Sequence, residues 1–193
     1  MALVDAASQS RQPMAKNQIG IAVLVLVLVI AVGAGLYFLL KSDKKKTSIG
    51  PRTPGIGPVL MTPQKLKAES KLLGVSIYWA GPLAGYSYEF TRDTKGYYYV
   101  RYLPQGTPAG TKGANWTIVS TYPWNDGFHS LKKAAHGAAL PGVGESIYYV
   151  NPSFRSSVLV AWPNVNYQVE VYDPKPAIAA TIASTGQLSP VRG

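Results

Sequence analysis

Tyr97, Tyr99 and Arg101 are the residues of this 193-residue chain whose types and spacing best suit recognition. Alternate side chains of an extended strand share a face, so the three form one row, opposite Tyr98, Val100 and Tyr102. Aromatic rings beside a guanidinium stack on sugars, on bases or on a partner's side chains. The competing expectation is cover from within, by a helix ahead of residue 74 or by the loop of residues 103–114. Few other basic residues lie near the row, so nucleic acid is not an expected partner.

Other chemistries find little footing. The chain has no cysteine, which excludes disulfides, thiolate metal sites, a cysteine nucleophile and a lipidated cysteine. His129 and His136 are the only histidines. On one helix they would share a face, but two turns apart, roughly 10 Å, too far to share one ion. No metal or cofactor is therefore expected. Six acids follow residue 72: Glu89, Asp93, Asp126, Glu145, Glu170 and Asp173. Asp93 reads as a turn residue, Asp126 and Asp173 as helix caps, and Glu89 as the partner of Arg101. Glu145 and Glu170 remain, and nothing in the sequence brings them together as a hydrolase's carboxylate pair. Gly144, Glu145 and Ser146 do not complete a nucleophile elbow, and the glycines of residues 106–113 do not form a phosphate loop. No catalytic residue is expected.

These residues need elements to position them. Asp93, Thr94, Lys95 and Gly96 separate two alternating runs, residues 86–91 and 97–102. A three-residue loop with Gly96 in the left-handed region would pair Tyr88 with Tyr102, Glu89 with Arg101 and Phe90 with Val100. Pro163, Asn164, Val165 and Asn166 turn a second hairpin, pairing Trp162 with Tyr167, Val160 with Val169 and Val158 with Val171. Further strands are expected at residues 75–79, 116–122 and 146–150. Helices are expected at residues 127–139 and 176–184. The order strand, strand, strand, helix occurs twice, which fits either an internal duplication or the ordinary order of elements in an α+β domain. The expected architecture is α+β, an antiparallel sheet with helices packed on one face.

Ahead of this lies a 22-residue run, residues 19–40, without a charge. At about 1.5 Å per residue it spans roughly 33 Å, enough to cross a bilayer. Its small residues lie inside the run rather than at a cleavage site, so an uncleaved transmembrane helix is expected rather than a signal peptide. The expected organisation is a polar tail (1–18), the span (19–40), a basic proline-rich stalk ending in a short helix (41–72), an α+β domain (73–186) and a disordered tail (187–193). Lys41, Lys44, Lys45 and Lys46 would meet lipid headgroups. Thr62 and Pro63 start the short helix, and Gly74 stops it. The net charge of +10 sits mostly in this part: residues 1–72 hold 10 basic and 3 acidic residues, the rest 9 and 6. The excess therefore suits an anchor on anionic lipid.

Trp79-Ala80-Gly81-Pro82, residues 86–92 with 99–104, and residues 167–174 together resemble a family of bacterial membrane-anchored or exported proteins. The resemblance covers residues 73–183. It implies an N-terminal anchor and one extracytoplasmic α+β domain, and implies no activity. The basic residues after the span favour a cytoplasmic domain; the Tyr-, Thr-, Ser- and Gly-rich composition, the proline-rich stalk and the resemblance favour the outside, which is the expectation adopted. The functional expectation is a single-pass membrane protein of the cell membrane that presents a non-catalytic domain to a protein or envelope partner. The alternatives are an envelope hydrolase using acidic residues, or a structural subunit of a membrane complex packed through Gly20, Gly33 and Gly35.

Overall fold

Asp93 sets the register of the first hairpin. Its Oδ1 accepts from the backbone N–H of Lys95 at 2.8 Å and of Tyr97 at 2.9 Å, while Gly96 takes φ 81°. Only such a left-handed residue closes this tight loop with the strands' twist. The flanking strands, β3 (Tyr86–Arg92) and β4 (Tyr98–Pro104), therefore pair as expected, with Tyr88 opposite Tyr102, Glu89 opposite Arg101 and Phe90 opposite Val100. The computed structural model describes residues 55–191.

In chain order the other elements are β1 (Ile56–Met61), α1 (Pro63–Leu73), β2 (Tyr78–Trp79), β5 (Ile118–Pro123), α2 (Gly127–Ala134), β6 (Leu140–Pro141), β7 (Ile147–Val150), β8 (Ser157–Ala161), β9 (Tyr167–Tyr172), α3 (Pro176–Ser184) and β10 (Ser189–Pro190). Among the described residues the fold is α+β: one antiparallel eight-stranded sheet in the order β1-β3-β4-β5-β9-β8-β7-β6, a small β10-β2 pair and three helices. The second hairpin also takes its expected register, Val160 opposite Val169 and Val158 opposite Val171.

The two meanders, β3-β4-β5 and β7-β8-β9, join where β5 pairs with β9. A twofold relating these antiparallel strands would run perpendicular to the sheet and leave the helix after each meander on the same face. The helices instead lie on opposite faces. Ala179, Ile182 and Ala183 of α3 share the front-face core with Leu66 of α1, Phe90, Val100, Val158 and Val169. Leu131 of α2 packs on Leu159 and Ala161, whose side chains alternate to the back. The expectation of helices on one face is corrected here. Val158 and Val160 serve one face while Leu159 and Ala161 serve the other, so β8 is apolar on both and draws a helix to each.

Two boundaries also move. Residues 56–72, expected as stalk, belong to the fold: β1 pairs with β3, and Leu66 is fully buried. Pro58 is compatible with a strand because β1 lies at the sheet edge, where a missing N–H costs no ladder bond. Residues 187–191, expected as part of a disordered tail, are ordered in the core: Leu188 and Val191 are buried, and Val191 N–H donates to Ile77 O at 2.7 Å. The helix of residues 127–139 ends at Ala134 because His136 and Gly137 take φ 47° and 87°. The expected span (19–40), the polar tail (1–18) and Lys41, Lys44, Lys45 and Lys46 lie outside the described residues. Among the described residues, no helix is long and apolar enough to cross a membrane.

The short helix begins and ends as expected. Thr62 Oγ1 accepts from Lys65 N–H, and Gly74 closes α1 in the left-handed region. Since Leu66 sits wholly inside the front core, Leu66→Ala in the full chain is expected to cost about 2–5 kcal/mol. Urea unfolding followed by tryptophan fluorescence checks this. A midpoint unchanged from the parent would return α1 to the stalk.

Candidate functional site

The back face of the first meander carries the expected row, and each of its members is engaged within the chain. Arg101 pairs with Glu89 at 2.7 Å, their side chains only 13% and 6% exposed, and its guanidinium lies 5.1 Å from the centroid of the Trp116 ring. The loop after β4 closes over the pair, Gly110 N–H donating to Glu89 Oε2 at 2.6 Å. Tyr99 donates to Asp93 Oδ2 at 3.2 Å. Tyr97 and Tyr99 both meet Tyr122 edge-on, with ring centroids 4.9 and 6.3 Å away. Burial, reinforced by Asp93, holds the phenols of Tyr97 and Tyr99 above their ordinary pKa.

Tyr122 connects this row to the middle of the sheet. Its hydroxyl donates to Glu170 Oε2 at 2.6 Å, and both side chains are fully buried. Burial pushes the Glu170 carboxyl above the usual carboxylate range, with the bond from Tyr122 pulling only partly back. A buried ionised carboxylate is costly, so the protonated form is favoured. Glu145 lies exposed in the turn between β6 and β7 at φ 62°. Two strands and several residues of register separate it from Glu170, on the order of 15 Å. The geometry does not bring the two acids together.

The other candidates are placed as follows. His129 meets Asp126 one turn away, while His136 lies beyond the end of α2; the two do not share a helix face. No group of three metal-ligating side chains occurs among the described residues. Asp126, expected as a cap, makes no side-chain cap bond. Asp173 ties two segments instead, accepting from Thr117 Oγ1 at 2.6 Å and from Lys175 N–H at 2.8 Å.

Free apolar surface gathers elsewhere, in a groove of about 520 Å³ between α3, the loop of residues 80–86 and Trp116. That volume is in the range of small-ligand pockets. Three of the eight most exposed large apolar residues among the described residues line it: Leu83 (50%), Tyr86 (40%) and Ile178 (40%). Its wall is fixed by the cross-strand pair of the first hairpin. Tyr102 Oη accepts from Ala80 N–H at 2.7 Å and donates to Gly81 O at 2.9 Å. Tyr88 Oη accepts from Leu83 N–H at 2.7 Å. Gly81 and Gly85 take φ 76° and 78°, which lets this short loop double back over the tyrosines. Below it, Asp173 holds Thr117, next to Trp116, against the start of α3. Leu83, Trp116 and Ile178 were not reached from the sequence, because they come from three segments that only the sheet brings together. The signal available was the Trp79-Ala80-Gly81-Pro82 stretch.

Two outcomes follow from the back face. Arg101→Ala leaves Glu89 buried and unpaired and is expected to cost about 3 kcal/mol in urea unfolding. A loss below 0.5 kcal/mol, in the range of exposed pairs, would mean that the pair is not a structural one. Glu170 should give folding a pH dependence. Below about 4.5, its ordinary value, both states hold the proton; above it the unfolded chain releases the proton while the folded chain keeps it, so stability falls as pH rises. Glu170→Gln should flatten that slope between pH 4.5 and the raised folded value. Thermal unfolding across this window reads it, and an unchanged slope would remove Glu170 as its source. No protein-family model, curated protein or solved structure matches the chain.

Proposed function

We propose that the chain is a single-pass membrane protein whose α+β domain is a non-catalytic binding module on the extracytoplasmic side. Its partner is a protein segment or envelope component that places an apolar side chain in the groove of Leu83, Tyr86, Trp116 and Ile178. The observation carrying this reading is the convergence of exposed apolar residues on one concavity, where the polar groups of Tyr102, Thr117 and Asp173 are already bonded within the chain. Apolar side chains that stay in water on both walls of one groove mark a surface completed by another molecule. The uncharged run of residues 19–40 supplies the tether, and the Tyr-, Thr- and Gly-rich domain composition supports the outer side.

A hydrolase finds less support, since its two acids lie in different regions and Glu170 is sealed in the sheet. The row of Tyr97, Tyr99 and Arg101 is the weaker binding surface, because its charge and one of its hydroxyls are already used internally. As a subunit of a membrane complex, the chain would draw on the span, which replacement by an unrelated apolar helix tests separately.

A photo-crosslinking residue at position 178, in intact cells, tests the groove. A discrete adduct is expected from position 178, lost on Leu83→Asp, and no adduct from position 97. Adducts from position 97 alone would reverse the choice of surface, and adducts from neither would remove the binding module. Protease shaving of intact cells tests the side. Release of the domain without lysis is expected, and survival until lysis would place the domain in the cytoplasm.

A further inference from the structure

Trp116 lines the groove, whereas Arg101, which stacks on it, belongs to the back-face row and does not. The backbone on each side of the tryptophan is pinned within the fold. Tyr172 Oη donates to Ala114 O at 3.0 Å, and Thr117 Oγ1 donates to Asp173 Oδ2 at 2.6 Å. The ring itself is met from outside the groove. The Arg101 guanidinium lies over it, 5.1 Å from the centroid, and Gly113 runs so close that a Cβ there would stand 3.4 Å from its edge.

The pose of the guanidinium shows what it is arranged to do. A well-formed arginine–carboxylate pair sends two nitrogens to the two oxygens as a fork. Here Nη2 alone serves both, at 2.7 Å from Glu89 Oε1 and 2.8 Å from Oε2, and Nε is buried without a hydrogen-bond partner. The head forgoes one charge-assisted bond and gains its place over the indole, a contact of comparable strength once desolvated. We infer that Arg101 is the positioning residue of the groove. Clamped by Glu89, which the loop in turn holds through Gly110 N–H, it fixes the Trp116 ring and so the wall that a partner's apolar side chain meets. This rests on the reading of the groove as the binding surface. The back-face row thereby serves recognition from behind, without touching the partner.

Arg101→Lys separates this role from simple charge pairing. An ammonium still neutralises Glu89, but a point charge cannot hold the carboxylate and cover the indole together. The full chain in detergent, carrying fluorotryptophan at Trp79, Trp116, Trp124 and Trp162, is read by fluorine NMR, with Trp116→Phe assigning its signal. Arg101→Lys should displace the Trp116 signal and leave the other three in place. In intact cells, the adduct from a photo-crosslinking residue at position 178, normalised to chain amount, should fall about fivefold. Trp116→Ala should cause a fall at least as large, and adding Arg101→Lys to it should cause no further loss. If Arg101→Lys unfolds the chain, the neutral pair Arg101→Gln with Glu89→Gln leaves no buried charge unpaired and should displace the same signal and lower the same adduct. An unmoved Trp116 signal, an undiminished adduct, or a loss that persists in full on the Trp116→Ala background would overturn the positioning role and leave the groove reading intact. No adduct from position 178 in the parent chain would instead overturn the groove reading, and the positioning role with it.

Discussion

The hydroxyls of Tyr88 and Tyr102 perform two tasks at once. Their rings meet edge-on, centroids 5.2 Å apart, in the front core. Their oxygens reach the backbone of Ala80, Gly81 and Leu83. A buried phenol needs a partner for its hydroxyl, and here that need is met by a loop that would otherwise be held by little else. The groove wall is therefore an extension of the sheet register. Pairing Tyr88 with Tyr102 aims both oxygens at the same loop; a slip of one residue would turn one of the two to the back face.

The back face follows a different rule. Glu89, Arg101, Tyr99, Tyr122 and Glu170 are polar side chains under cover, bonded as the pairs Arg101–Glu89 and Tyr122–Glu170 and, for Tyr99, to Asp93. Such clusters contribute little net stability for the desolvation they require, yet each broken bond is costly. The loop after β4, rather than a helix, covers the first meander here, because α2 crosses to the apolar back face of β8. An aromatic and cationic row that looks outward in one dimension is thus enclosed in three.

The local grammar was largely legible in the sequence. Both hairpins, their registers, the Thr62 cap and the Gly74 stop follow from alternation and turn chemistry, which act over a few residues. The α+β class followed from the same elements. What could not be read was set by distant contacts. Val158 to Ala161 form an unbroken apolar run, which signals burial on both faces but not which helix covers which. Pro58 argued against a strand until the edge position of β1 removed the objection. Leu188 and Val191 sit in a segment that looks like a tail and is ordered only by Ile77 and β2. The groove belongs to this second class, since Leu83, Trp116 and Ile178 are separated by dozens of residues.

The claim that the groove is the surface met by a partner is tested most directly by hydrogen exchange on the full chain. Exchange is compared between native membranes, where a partner is present, and the purified protein. The account predicts added protection in native membranes confined to residues 80–86 and the first turns of α3. Added protection at residues 97–101 with none at 80–86, or identical exchange in the two preparations, would contradict it.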